Sequence, residues 1–243
     1  AGAYLPADVY VRCLRMLGEE VRYICGGDEY GSAITIGAER EGVGYPAYVA
    51  RWRDEIKHTM DCFGIEFDIW SGTSICPRHA ELSQEFFSRL SENGFLLKNT
   101  TEQLYCAHDE MYLPDRYVLG TCPKCGHAPA RGDECPSCGS WLDSDKLIEP
   151  SCKLCGNAPE LRKTTHWYLD LPKLRDEYIA GWFAAGTWKA NVESFIAQML
   201  KELLARPITR DMKWGVPLPA ELADGEEGKV LYVWFDAPIG YIS

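Results

Sequence analysis

Seven of the eleven cysteines fall between positions 106 and 155: Cys106, then the pairs Cys122/Cys125, Cys135/Cys138 and Cys152/Cys155. Each pair is spaced C-x-x-C and is followed directly by a glycine, Gly126, Gly139 or Gly156. A tight turn of this kind presents two thiolates to one side, and glycine tolerates the positive φ that closes it. Nine residues separate Cys125 from Cys135, so Cys122, Cys125, Cys135 and Cys138 can close one tetrahedral zinc site of four thiolates. The third pair needs partners. The nearest are Cys106 with either Asp109 or His108, since carboxylate oxygen and imidazole nitrogen both ligate zinc. Cys106, Asp109, Cys152 and Cys155 are therefore a candidate second metal site, so the expected content is one zinc, with a second left open. The competing reading, a disulfide framework, is disfavoured by the odd cysteine total and the metal-like spacing.

Composition sets the outer bounds. A chain of 243 residues can bury a substantial core as one large or two modest domains, and eight tryptophans argue against disorder. The net charge of −11 excludes a surface that coats nucleic acid generally. Between Cys106 and Lys163 nine acidic residues stand against seven Lys and Arg, so the cysteine-rich region is not a basic phosphate clamp. No run of 18 apolar residues occurs, and a membrane partner is not expected. Thiols in this number at metal spacing point to a reducing, cytoplasmic setting.

These residues need a frame. Pro6 suits the first turn of a helix with Val9, Tyr10, Cys13, Leu14 and Leu17 as its apolar stripe, ended by Gly18. A short β-rich stretch, Val21–Cys25, runs into Gly26-Gly27-Asp28-Glu29-Tyr30-Gly31. Helix, strand, then Gly-rich acidic loop is the order of a doubly wound α/β sheet, whose ligands lie beyond the carboxyl ends of its strands. Asp28 would stand there, although spacing alone better fits a turn-forming Asp between glycines. Helices are predicted at Ser32–Glu41, Tyr45–Phe63 and Pro77–Asn93, the last burying Leu82, Phe86, Phe87 and Leu90, with a strand near Phe67–Trp70. His58 and His79 read as structural or solvent-facing.

Strands follow at Gln103–Cys106 and Met111–Val118. After the cysteines come two helices, the second with Val192, Phe195, Ile196, Met199, Leu200 and Leu203 as a core stripe and Pro207 as its stop. Asp224–Gly228 reads as a turn, and Lys229–Phe235 as a strand buried on both faces.

Four stretches carry a family resemblance: Gly26–Gly31, Leu113-Pro114-Asp115-Arg116-Tyr117, the knuckles with their Gly-Thr-Cys and Arg-Gly-Asp-x-Cys surroundings, and Trp234-Phe235-Asp236-Ala237-Pro238-Ile239-Gly240-Tyr241. Together they resemble the catalytic region of the methionyl-tRNA synthetases, a class I aminoacyl-tRNA synthetase family, along essentially the whole chain. The resemblance implies a Rossmann-like, doubly wound parallel sheet interrupted by a zinc-ribbon connective insertion. Residues 1–98 would be the first half of the catalytic domain without its first strand. Residues 99–228 would be the insertion, with its knuckles at about 104–166, and residues 229–243 the return strand. It implies an enzyme that uses methionine and magnesium-bound ATP to form methionyl-adenylate and then charges tRNA(Met).

By motif, Asp28 would meet the substrate ammonium, and Trp234, Ala237, Pro238 and Tyr241 would line the thioether pocket. Arg210, in Ile-Thr-Arg-Asp, would be the catalytic cation near the reacting phosphates. On residue type alone Arg210 also fits an ion pair with Asp211 or a helix end, and Trp234 and Tyr241 fit core packing at a strand end. Gly27 stands where many members carry Thr, and Asp109 where members with a full second knuckle carry Cys.

The family's H-x-G-H motif would precede Ala1, and its K-M-S-K-S loop would follow Ser243. An interior piece of a longer protein is therefore expected, inactive alone in methionine-dependent pyrophosphate exchange. A non-catalytic zinc-ribbon module binding RNA or a protein would explain the knuckles but not the α/β text or Trp234–Tyr241. A synthetase for another amino acid is opposed by Asp-Ala-Pro-Ile-Gly-Tyr at positions 236–241.

Overall fold

The structure, a computed structural model, describes residues 2–223 and 228–243. Two compact units divide it. One holds the chain up to Ser83 with Trp214–Val216 and Val233–Ser243; the other holds Gln84–Lys213 and Pro217–Tyr232.

The first unit starts with α1 (Tyr4–Met16), and Gly18 at φ 84° turns the chain after it. The helix is where periodicity places it, but the apolar stripe is not its inner face. Asp8 and Val11 are buried, whereas Val9, Tyr10 and Leu17 are exposed. A carboxylate can take the inner position because Arg12 Nε donates to Asp8 at 2.6 Å, offsetting the cost of burying charge. Next come β1 (Ile24–Gly27), α2 (Ser32–Glu41), α3 (Tyr45–Cys62) and β2 (Ile69–Gly72). β1 and β2 pair in parallel from Ile24↔Ile69 to Gly27↔Gly72, and parallel neighbours need a long crossover such as α2 and α3 supply. The strands start three and two residues later than their β-rich text, behind a bond from Tyr23 N–H to Asp68 at 2.5 Å.

α4 (His79–Glu92) buries His79, Ser83 and Phe87, an i, i+4 row on one side. This corrects the expected face: Phe86 is 41 % exposed, and Leu82 and Leu90 are half-buried. His79 is fully buried, which removes its solvent-facing alternative.

The second unit is antiparallel. It contains β3 (Leu96–Cys106), β4 (Met111–Tyr112), β5 (Val118–Thr121), β6 (Ala130–Arg131), β7 (Ile148–Cys152) and β8 (Glu160–Leu169). β3 and β8 pair from Leu96↔Leu169 to Tyr105↔Glu160. A smaller sheet in the order β6-β5-β7 carries the cysteine pairs. Beyond β8, α5 (Leu171–Leu174) passes through a π-turn into α6 (Ala180–Ala185), and α7 (Ala190–Lys201) follows. α7 buries no residue: Val192, Ile196 and Leu200 are half-buried while Phe195 and Met199 are exposed. The core-stripe expectation is corrected, since only one i, i+4 row of that stripe is covered. β9 (Arg206–Pro207) adds to β8, and β10 (Thr209–Asp211) pairs with β11 (Lys229–Leu231).

Under the β10/β11 pair lies a buried polar network. Lys229 Nζ donates to Asp211 and, at 2.7 Å, to Thr164; His166 Nε2 lies 3.2 Å from Asp211, and its Nδ1 lies 3.0 Å from the Thr209 hydroxyl. Burial alone would raise the Asp211 carboxyl, but donors from His166, Lys229 and Thr164 win and hold it below the usual range.

The strand expected over Lys229–Phe235 ends at Leu231. α8 (Val233–Asp236) and a 3₁₀ turn over Ala237–Tyr241 replace its second half, in the first unit. Asp236 is drawn inward by His79, and Pro238 suits an opening helical turn. Of the expected Asp224–Gly228 turn, residues 224–227 lie outside the described residues; Gly228 has φ 83°.

The corrected face of α4 is testable by urea unfolding. Phe87, fully buried and edge-on to Trp167 at 5.9 Å, is expected to cost about 3–5 kcal/mol on Phe87→Ala. Phe86→Ala is expected to stay within about 0.5 kcal/mol, as for a surface position.

Candidate functional site

The Gly-rich acidic loop leaves the carboxyl end of β1, and its neighbour Glu29 anchors it. Glu29 has a side chain 5 % exposed and accepts from Arg53 Nη1 at 2.7 Å, Ser74 N–H at 3.1 Å and the Ser74 hydroxyl at 2.5 Å. Its own N–H donates to Thr73 Oγ1 at 3.0 Å, and Trp214 Nε1 donates to its carbonyl at 2.7 Å. Buried charge is tolerated only when paired and hydrogen-bonded, and Glu29 is both. The carboxylate sits so close over β2 that a Cβ on Gly72 would fall on it.

With Glu29 turned inward, Asp28 stands on the open side of the loop. Partial burial of the carboxyl raises it above the ordinary carboxylate range, Asp236 and Glu29 add to the rise, and the Tyr30 N–H and His79 oppose it. The Tyr30 phenol is pushed up to about 12, by burial first and then by Asp236 and Glu29. Its ring lies 5.3 Å from Trp214 and stacks on His79 at 6.3 Å.

Asp236 joins the same unit from the far end of the chain. It is fully buried, its Oδ2 lies 3.0 Å from His79 Nε2, and its Oδ1 has no hydrogen-bond partner among the described residues. Burial raises its carboxyl, and His79 opposes the rise. Val233 packs against Gly31, 3.3 Å from where a Cβ would be, so α8 abuts the acidic loop. On either side of Asp236 the chain presents Trp234, from α8, and Tyr241 outward, 71 % and 85 % exposed, with Pro238 exposed and Ala237 half-buried. Neither aromatic is core packing at a strand end. A carboxylate beside exposed aromatic and small apolar side chains can take a compact cation joined to an apolar group.

Arg210 lies in the other unit, on β10. Its Nη1 donates to the Pro207 and Thr209 carbonyls at 3.0 and 2.8 Å, and its guanidinium lies 3.8 Å from the Tyr232 ring centroid. It does not pair with Asp211, whose partners are Lys229, His166 and Thr164. Asp115, from the Leu113–Tyr117 motif, is raised chiefly by burial, with Arg210 the main opposing charge.

The cysteines gather in two groups, Cys122/Cys125/Cys135/Cys138 and Cys106/Asp109/Cys152/Cys155, each with all ligand atoms within 4.8 Å of one another. Gly126, Gly139 and Gly156 have φ of 75°, 65° and 78°, and each N–H donates to the carbonyl of its pair's first cysteine. Zinc–sulfur bonds of about 2.3 Å in a tetrahedron put sulfurs about 3.8 Å apart. Cys122–Cys138 at 4.0 Å, Cys125–Cys135 at 3.6 Å and Cys106–Cys155 at 3.4 Å match that spacing. Asp109 Oδ2 lies 3.1 Å from Cys106 Sγ and 3.0 Å from Cys152 Sγ. Exposed His108 stays outside the group and meets the other Asp109 oxygen at 2.9 Å.

Sequence spacing assigns no site role to Glu29, His79, Asp115 or Trp214. The i, i+4 row of His79, Ser83 and Phe87 was a usable signal for the histidine. Nothing local marks Glu29 rather than Asp28 as the inward carboxylate.

Over residues 1–243 the chain matches the family described as tRNA synthetases class I (M). Across its whole length it is 49 % identical to a methionine–tRNA ligase of Rubrobacter xylanophilus and 46 % to that of Pyrococcus furiosus, covering 41 % and 33 % of those proteins. The chain thus spans less than half the length of these relatives. A crystal structure of Mycobacterium tuberculosis methionyl-tRNA synthetase bound by methionyl-adenylate aligns with a TM-score of 0.65 at 20 % identity, over 98 % of this chain and 42 % of that one. That likeness places the fold as α/β.

The Glu29 anchor has a sharp steric requirement. Gly72→Ala is expected to displace the carboxylate from its partners and to destabilise the protein by about 3 kcal/mol or more in chemical denaturation, the scale for breaking a buried ion pair. Unchanged stability would mean that Glu29 is not held there.

Proposed function

The chain belongs to the class I tRNA synthetases (M), and from that premise we propose that it forms the methionine-binding part of a methionine–tRNA ligase. The protein would join methionine to ATP, supplied with magnesium, as methionyl-adenylate and pass the methionyl group to tRNA(Met). The observation that carries this reading is the arrangement at the end of β1: an anchored Glu29 leaves Asp28 exposed, and the loop is abutted by α8, which bears Trp234 and leads into the turn with Ala237, Pro238 and Tyr241. Asp28 would receive the α-ammonium. The flexible, polarizable thioether would lie against the aromatic side chains, where sulfur–aromatic contact is favourable. Arg210 is proposed as the cation that stabilises charge developing on the phosphates. The doubly wound parallel sheet is proposed as the larger frame to which β1 and β2 belong.

Both cysteine groups are proposed as structural zinc sites, with Asp109 the fourth ligand of the second. A ribbon of this size has little apolar volume, so metal binding supplies much of its folding free energy. No helix among the described residues is long and apolar enough to cross a membrane, and reduced thiols agree with a cytoplasmic setting.

Two measurements test the reading. The full-length polypeptide carrying this chain is expected to show methionine-dependent exchange of pyrophosphate with ATP. Asp28→Ala should lower its kcat/KM for methionine by at least about thirtyfold, the low end for removing one partner of a desolvated charge pair. Exchange supported by another amino acid, or none, would contradict it. Elemental analysis is expected to give two zinc ions per chain, with Asp109→Ala and Cys135→Ser each removing one. A single zinc in the unaltered protein would eliminate the Asp109 site.

A further inference from the structure

His79 reaches three parts of the first unit at once. Its Nε2 lies 3.0 Å from Asp236 Oδ2 and its Nδ1 lies 3.2 Å from the Ser243 hydroxyl, while its face stacks on Tyr30 of the acidic loop. The ring is fully buried, and its own backbone carbonyl accepts from Ser83 Oγ at 2.7 Å, fixing it on α4. Asp236 and Ser243 bracket the segment Ala237–Ile242. A carboxylate at Nε2 calls for the proton there, which leaves Nδ1 to accept from Ser243. The two ring nitrogens therefore fasten the two ends of one short turn. Inside the bracket few other ties exist: Ile239 is buried and its carbonyl accepts from Ile242 and Ser243, but Pro238, Gly240, Tyr241 and Ile242 are exposed.

We propose that His79 is a positioning residue for the amino-acid pocket: by holding both ends of the Asp236–Ser243 turn against the Tyr30 loop, it sets the pocket's width. This rests on the reading that Ala237, Pro238 and Tyr241 line a methionine site. His79 does not touch the substrate. Its effect falls on how well the pocket fits an unbranched side chain, and apolar pockets discriminate by shape. The ATP-handling groups are not among its contacts.

The test uses the full-length polypeptide, with KM for methionine and for ATP measured separately in pyrophosphate exchange. Hydrogen exchange of amides 237–243 is followed by mass spectrometry alongside. His79→Asn can imitate only Nδ1 and loses Asp236; His79→Gln can imitate Nε2 and keeps it. Asn is expected to raise the methionine KM by about tenfold or more, the scale on which a pocket registers a one-methylene misfit. ATP KM should stay unchanged, and amides 237–243 should exchange faster. His79→Gln should recover most of the methionine KM, because the bond to the buried carboxylate is the stronger of the two. Ser243→Ala, the mild control for misfolding, should speed exchange in the same segment alone. Methionine and ATP KM rising together, or unaltered exchange at 237–243 in a folded His79→Asn protein, would overturn the proposal. Failure of the unaltered protein to respond to methionine at all would instead remove the reading beneath it.

Discussion

Burying a carboxylate is costly, and beside Asp8 on α1 the first unit does it at two places around the acidic loop, Glu29 and Asp236. Each is tolerated only because specific partners are waiting: Arg53, Ser74 and a bare Gly72 for one, His79 for the other. Those requirements reach far along the chain, since Glu29 draws on Ser74 and Trp214, and Asp236 on a helix more than 150 residues earlier. Because the partners cannot be exchanged for one another, the acidic loop and the Asp236–Ser243 turn each have one low-energy place. Asp28 and the exposed aromatic side chains inherit their positions from that constraint.

The second unit meets a different need. Beside its small sheet β6-β5-β7, three knuckles of matching geometry bring candidate metal-ligand atoms together. A polar network lies under its β10/β11 pair, where Lys229, Asp211, Thr164 and His166 satisfy one another. Arg210 is set between the Pro207 and Thr209 carbonyls and Tyr232, so its guanidinium is oriented before any ligand arrives. A cation held in this way meets developing charge without reorganising, which is why the phosphate role is proposed for it.

What could be read in the sequence was whatever local spacing controls. The knuckles were legible because C-x-x-C-G specifies a turn, and α2 and α3 because their text is helical throughout. Faces were less legible: against the apolar pattern, Asp8 lies inside on α1, paired with Arg12, and Val9 lies outside. The strand expected after Lys229 becomes a helix and a 3₁₀ turn for a reason no window of residues contains, a buried contact to His79. The same is true of Glu29, whose inward turn depends on Arg53 and Ser74.

The central claim is that this geometry holds methionine by its two ends, charge at the loop and thioether at the turn. A crystal structure of the full-length polypeptide grown with methionine tests it most directly. The account predicts the ammonium within about 3 Å of the Asp28 carboxylate and the sulfur against Trp234 or Tyr241. Methionine bound with its carboxylate toward Asp28, or away from the Asp236–Ser243 turn altogether, would contradict it.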